Sequence, residues 1–304
     1  MSVVLGLLGG CLLLGALARR SARFPANTPL ALNAFVMNVA LPALVLNVVH
    51  ALHVRPALLA AAAAPWGVFF GSLLLVRLTG ARLGLSPQSQ AALALTAGLG
   101  NTSFVGLPMA EALLGPKGVE VAVVVDQLGS FLALATVASA VAARASSGGG
   151  SGREVLRRVL TFPSFIALVL AFATHAFAYP AWLDTSLARL GALLTPLALF
   201  SVGFSLRLSG LSAHRSALAV GLGYKMLLAP LVTALLFRLL PSGDPVLAEA
   251  TVLQVGTAPM VSAALLAAER RLDPELATRM VGLGIPLSLL SAPALLWLMR
   301  ACGM

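Results

Sequence analysis

The sequence predicts an all-α integral membrane fold of ten transmembrane helices, arranged as two inverted five-helix repeats. Three observations predict it. The 304 residues are 59% hydrophobic and only 10% charged, against about 25% charged in an average soluble domain, so a soluble fold could not cover its apolar surface. The apolar residues fall into ten runs, each near the roughly 20 residues that cross a bilayer core. The basic residues sit in small groups between those runs, which is the pattern of membrane topology.

The same observations exclude several classes. Ten spans leave only short loops, with no room for a separate soluble domain. A net charge of +10 invites a nucleic-acid partner, but the charges form no basic face, and none is expected. Cys11 and Cys302 offer neither a disulfide framework nor metal-ligand spacing. No metal and no cofactor are expected.

The elements follow in order. Span 1 covers 2–18. Ala16-Leu17-Ala18 resembles a signal-peptide cleavage site, yet Arg19, Arg20 and Arg23 follow the apolar stretch and none precedes it. A signal peptide carries its positive charge in front, so a retained helix is expected. Spans 2 to 10 cover 28–50, 56–78, 87–114, 118–143, 160–180, 186–206, 215–240, 245–268 and 275–300. Fourteen of the twenty Lys and Arg flank the odd-numbered spans at their C-terminal ends; Arg55, Lys117, Arg189, Arg238 and Arg300 lie on the other side, and Lys225 lies within a span. The positive-inside rule then places both termini outside.

Between spans 5 and 6 runs Ser146-Ser147-Gly148-Gly149-Gly150-Ser151-Gly152, a composition that behaves as a flexible linker. It divides the chain into a first repeat (1–144), a cytoplasmic Ser/Gly linker (145–158) and a second repeat (159–304). Five is odd, so the second repeat is inverted relative to the first. Inverted repeats recur among transporters.

Internal symmetry supports the division. Pro42 and Pro196 interrupt the second span of each half. The fourth span of each half carries a Gly and Pro break: Gly100-Asn101-Thr102-Ser103-Phe104-Val105-Gly106-Leu107-Pro108, and Gln254-Val255-Gly256-Thr257-Ala258-Pro259. A single break of this kind is ordinarily a kink. Two in equivalent places, each flanked by amides or hydroxyls, point to a site. Lipid cannot satisfy the loosened backbone groups, which must face protein or a wet cavity. Half-helix N-termini at the midplane present partial positive charge and free N–H groups, which suit a carboxylate.

These segments, with Leu32-Asn33-Ala34-Phe35-Val36, Leu41-Pro42-Ala43, Leu197-Ala198-Leu199-Phe200-Ser201-Val202-Gly203 and Leu266-Ala267, resemble the auxin efflux carrier family over nearly the whole chain. The resemblance implies a fold like that of bile-acid symporters and sodium–proton antiporters, with helices 4 and 9 broken and crossed. It implies a scaffold of spans 1, 2, 6 and 7 that forms a homodimer, and a moving core of spans 3–5 and 8–10. Plant members export auxin; bacterial members are often named malate or malonate permeases. This chain lacks the long hydrophilic loop of many plant carriers and looks like a compact bacterial form of the inner (plasma) membrane. Asn101, Pro108 and Pro259 match the family's crossing motifs. Thr102, Ser103, Gln254, Gly256 and Thr257 join them by position. The second break carries no acidic residue; the nearest, Glu249, lies toward the outer end. That argues against a sodium site of the bile-acid symporter kind.

Ionisable groups inside a membrane are costly and mark function by default. Asp126 in span 5 is the proton-coupling candidate, and Lys225 in span 8 the candidate that attracts an anion. The bland alternative is that they pair only with each other. Arg77 and Arg238 lie near span ends, where long side chains snorkel, and His175 reads as a polar packing residue. The expected function is secondary transport of a small organic anion by alternating access, with lipid as the surrounding partner. An ion channel is the main rival, but it would need a pore-lining ring about an axis. An intramembrane enzyme is a weaker one: no His-Glu-x-x-His motif occurs, and Arg207 stands where a Gly-x-Ser-x-Gly elbow after Gly203 would need glycine.

Overall fold

A computed structural model describes residues 2–21, 23–53, 55–146, 152–205, 214–239 and 244–303. Of the linker expected at 145–158, residues 147–151 lie outside them, as does Arg207; residues 152–158 are helical. Among the described residues no strand occurs, only one isolated antiparallel bridge between Gly100 and Pro259.

The chain runs through α1 (Ser2–Ala18), α2 (Thr28–His50), α3 (Pro56–Thr79), α4 (Pro87–Gly98), α5 (Thr102–Ala145), α6 (Gly152–Leu160), α7 (Pro163–Ala173), α8 (Ala181–Ser205), α9 (Arg215–Leu239), α10 (Pro245–Val255), α11 (Val261–Glu269) and α12 (Pro274–Ala301). Six of these, α2, α3, α5, α8, α9 and α12, are long and apolar enough to cross a membrane. In hydrocarbon every backbone group must be satisfied within the segment, so apolar runs of Leu, Ala and Val close into helices.

Helix starts follow sequence-readable rules. Ser86, Asp244 and Asp273 each stand before a proline at the first helical position, where the missing N–H costs nothing. Their side chains accept from Ser89 N (3.1 Å), Val246 N (3.1 Å) and Leu276 N (3.0 Å). At 44 residues α5 would measure about 66 Å if straight, twice a bilayer core. Gly115 (φ 68°, ψ −160°), followed by Pro116, turns it back. Thr102 in the first arm therefore bonds Asp126 in the second. Spans 4 and 5 of the sequence are thus α4 plus the first arm of α5, and the second arm. Pro42 follows a widened π-type turn at Val36–Ala40, and Pro196 follows a turn at Leu193. In both, the missing proline N–H loosens the helix.

Helices α1, α2, α7 and α8 pack on one another, and α3–α5 pack with α9–α12. The closest approach in the first group is α1 on α8. A Cβ on Gly15 would lie 2.1 Å from the Phe200 carbonyl oxygen, and one on Gly203 would lie 2.1 Å from that of Leu12. Small residues at both crossing points let the backbones touch, as membrane helices do. In the second group α4 and α10 lie deepest: every residue from Ala91 to Asn101 and from Glu249 to Met260 is buried, polar ones included.

Candidate functional site

The two breaks meet. Helix α4 ends at Gly98 and the chain runs extended through Leu99 (φ −106°, ψ 128°) before α5 begins. Helix α10 ends at Val255 and resumes as α11 after an extended Met260 (φ −68°, ψ 129°). The Asn101 N–H donates to the Ala258 carbonyl (2.7 Å), and the Met260 N–H donates to the Leu99 carbonyl (2.9 Å). Each break thereby satisfies backbone groups that lipid could not. Proline at 259 fits because its position in this short ladder donates nothing. Glycine at 100 fits because a Cβ there would lie 2.8 Å from Thr257 Oγ1 and 2.9 Å from Lys225 Nζ.

The two buried charges at this crossing are held by helix ends of opposite polarity. Asp126 is 1% exposed and accepts three hydrogen bonds, from the Thr102 hydroxyl, from Ser103 Oγ (2.6 Å) and from Gln127 Nε2 (2.7 Å). Two of these donors belong to the first turn of α5, where the helix dipole is positive. Lys225 is also 1% exposed and donates from Nζ to the Val255 carbonyl (2.6 Å), the last residue of α10, where the dipole is negative. Among the described residues no carboxylate lies within ion-pair distance of Lys225. The two charges do not pair; each answers a helix terminus.

The positive ends of two helices border one cleft. Its walls include Asn101, Ser103 and Phe104 from the start of α5, and Met260, Val261 and Ser262 from the start of α11. Asp126, Gln127, Phe131 and Leu134 come from the second arm of α5, and Met37, Leu41 and Phe162 from the α1–α2–α7–α8 side. First-turn N–H groups have no partner inside their own helix. Asn101 is 2% exposed; its Oδ1 accepts from Phe104 N (3.3 Å) and its Nδ2 has no partner among the described residues. Gln127 Oε1 and Ser130 Oγ are likewise buried without a partner. A buried polar atom left without a partner calls for water or a ligand. The cleft has about 30 Å³ of free space, room for roughly one or two waters and far below the ~300–1,000 Å³ of a ligand pocket.

Of the residues singled out in the sequence, Asn101, Ser103 and Asp126 line this cleft. Thr102 stands behind them, holding Asp126. Gln254, Gly256, Thr257, Pro259 and Lys225 form the crossing itself without lining the cleft, and Pro108 is buried farther along α5. The Thr257 hydroxyl turns back to the Gln254 carbonyl (2.7 Å). The Gln254 side chain packs on Gly106, and neither amide atom has a partner among the described residues. The sequence reading missed Gln127, Ser262 and the aromatic wall of Phe131 and Phe162. Ser262 was findable, since it is the second residue of the half-helix after Met260. The aromatics carried no signal among thirteen phenylalanines.

Other polar groups of the spans resolve simply. Glu111 accepts from Thr195 Oγ1 (2.6 Å), tying α5 to α8. Glu249 forms a two-pronged pair with Arg300 (2.7 Å each), which removes it from the second break. His175 Nδ1 bonds the His50 carbonyl (2.8 Å). A separate groove of about 970 Å³ lies between α3 and α9, but its walls are apolar. Its Tyr224 and Thr233 hydroxyls already donate to Val68 and Ala229 carbonyls. Among the described residues it offers a carboxylate no free donor.

Comparison with known proteins places the chain among membrane transporters. A family model described as membrane transport protein matches residues 11–148 and 150–296. An uncharacterized transporter of Methanothermobacter thermautotrophicus is 27% identical over 278 residues, covering 88% of this chain and 87% of the relative. An uncharacterized transporter of Methanocaldococcus jannaschii is 30% identical over 127 residues, 40% of each chain.

Proposed function

The chain belongs to the membrane transport protein family, the auxin efflux carrier family its motifs resemble, and we propose that this multi-pass membrane transporter carries a small organic anion by alternating access. One observation carries the reading: two helix N-termini border a single cleft with Asn101 Nδ2, which has no partner among the described residues. Helix N-termini bind anions through free N–H groups and the positive end of the dipole. Two termini facing one cleft suit a carboxylate or a short dicarboxylate of the malate or malonate kind. Ser103 and Ser262 supply hydroxyl donors. Lys225, behind the crossing, offsets the negative ends of the half-helices and adds positive potential.

The cleft's two walls favour alternating access. One wall comes from spans 2 and 6, the other from spans 4, 5 and 9. In the proposed ten-helix inverted repeat, with 1–144 and 159–304 as its halves, the first wall is scaffold and the second is moving core. Thirty cubic ångströms is an occluded or collapsed site; sliding core against scaffold would open it. Asp126, hydrogen-bonded to the turn proposed to hold the anion, would couple a proton to that movement. We assign the scaffold spans the homodimer contact, and the chain to a bacterial inner membrane with both termini outside.

The test has two arms. Purified protein is screened against mono- and dicarboxylates by thermal shift, where a ligand that binds the folded state raises Tm. Hits are then tested for uptake into proteoliposomes. A saturable, electrically small flux of an organic anion supports the reading. Fast ohmic current with no saturation would mean a channel and overturn it.

A further inference from the structure

We propose that α6 is an interfacial helix whose partner is an anionic lipid surface, and that its docking holds the Phe131–Phe162 pair at the cleft. Helix α6 has the sequence Gly-Arg-Glu-Val-Leu-Arg-Arg-Val-Leu, three arginines against one glutamate in nine residues. Arg153 and Arg157, one turn apart, are exposed. Leu156 and Leu160, also one turn apart, are 58% and 54% exposed. The two pairs occupy adjoining strips of the helix. Arginine cannot sit in hydrocarbon, and a leucine pair gains nothing in water. Both are satisfied where the two phases meet, with the leucines in the acyl boundary and the guanidinium groups at lipid phosphates. The charge selects an anionic surface rather than a neutral one.

The remaining face of α6 leads to the cleft. Val159, 8% exposed, packs with Phe131 and Ala135. The helical bonding continues past Leu160, since Thr161 N donates to the Arg157 carbonyl (2.9 Å) and Phe162 N to the Val159 carbonyl (3.2 Å). Phe162 then stacks on Phe131 with ring centroids 4.1 Å apart and planes 17° apart. Both rings line the cleft beside Asn101 and Asp126. The path from the arginines to the cleft wall is thus one short helix and one aromatic stack. A surface that pulls α6 down keeps Phe162 seated; a surface that releases it frees the ring. This goes beyond the transport reading, and its measurement needs no substrate.

The experiment uses the full chain with Cys11→Ser and Cys302→Ser, reconstituted into phosphatidylcholine vesicles or into an equal mixture with phosphatidylglycerol. A polarity-sensitive dye on Leu156→Cys reports docking. The expected result is a blue-shifted emission in the anionic vesicles only, reversed by high salt. Removing charge with Arg153→Gln and Arg157→Gln should weaken docking about fivefold per arginine. Arg153→Lys with Arg157→Lys should retain it. In a separate variant, Leu134→Cys in the cleft wall should react with N-ethylmaleimide several-fold more slowly in anionic vesicles, and the glutamine pair should erase that difference. Equal emission in the two lipids, or a shift that survives the glutamine pair, would overturn the lipid partner. A normal shift with unchanged alkylation would overturn the link to the cleft.

Discussion

At the residue scale, the informative fact is where two buried charges do not meet. A membrane carboxylate and ammonium would ordinarily be expected to find each other. Instead each is held by a helix end: Asp126 by hydroxyls of the first turn of α5, Lys225 by the last carbonyl of α10. Separate partners predict separate energetics. In a double-mutant cycle, Asp126→Asn and Lys225→Met should add to within about 0.5 kcal/mol. A mutual buried pair would instead show rescue of the several kcal/mol that a stranded charge costs. Rescue of Asp126→Asn by Lys225→Met in thermal unfolding would contradict the arrangement. Asp126→Asn itself should fold, because the Gln127 amide can turn to match, and proteoliposome uptake should lose its pH dependence. Asn101→Ala removes one cap bond, about 1 kcal/mol, together with the free Nδ2 at the cleft. Uptake should vanish while yield and Tm stay near normal; near-normal uptake would remove Asn101 from the site.

At the element scale, two kinds of glycine crossing have different jobs. At Gly100 a Cβ would meet Thr257 Oγ1, Lys225 Nζ and the Gln254 carbonyl at 2.8 to 3.1 Å. Gly100→Ala therefore pushes the two breaks apart by a few tenths of an ångström, at about 1–3 kcal/mol. The chain should still insert and fold, with transport lost because the half-helix ends no longer converge. At Gly203 a Cβ would sit 2.1 Å from the Leu12 carbonyl, against a rigid helix. Gly203→Leu should separate α1 from α8 and lower the folded yield itself, measured by size-exclusion of the detergent-solubilised protein. The opposite ranking, with Gly100→Ala unfolding and Gly203→Leu active, would mean that the crossing is structural and the α1–α8 contact dispensable. Both breaks were legible as Gly and Pro punctuation of apolar runs. What they paired with was not, because antiparallel bonding across about 160 residues of separation leaves no local trace.

At the scale of the whole molecule, topology and occlusion are the properties to test. By the positive-inside rule the charge asymmetry predicts a cytoplasmic Ser/Gly linker. A cysteine at Gly149, outside the described residues, in a background lacking Cys11 and Cys302, should resist an impermeant thiol reagent in intact cells. It should react once the membrane is opened. Ready labelling from outside would reverse the orientation and the inverted-repeat argument with it. Occlusion follows from the small cleft between the two helix groups. Passage of the proposed anion would need this cleft to widen, and the broken helices, bonded to each other, would then move as one body.

Some of this protein was decided by sequence alone. A composition of 59% hydrophobic residues, ten apolar runs and clustered arginines required a multi-pass helical membrane protein, because no other backbone arrangement but a closed barrel satisfies its polar groups in lipid. Proline and glycine in matching places marked both broken spans, since those residues lose helical bonds wherever they sit. The tertiary structure decided which polar groups share a space. Asn101, Ser103 and Asp126 came to one cleft, whereas Gln254, Thr257 and Pro108 did not, because the direction of a side chain about its helix is set by packing against distant neighbours. The aromatic wall was decided there too: Phe131 and Phe162 are 31 residues apart and meet only because α6 and α7 fold back over the second arm of α5.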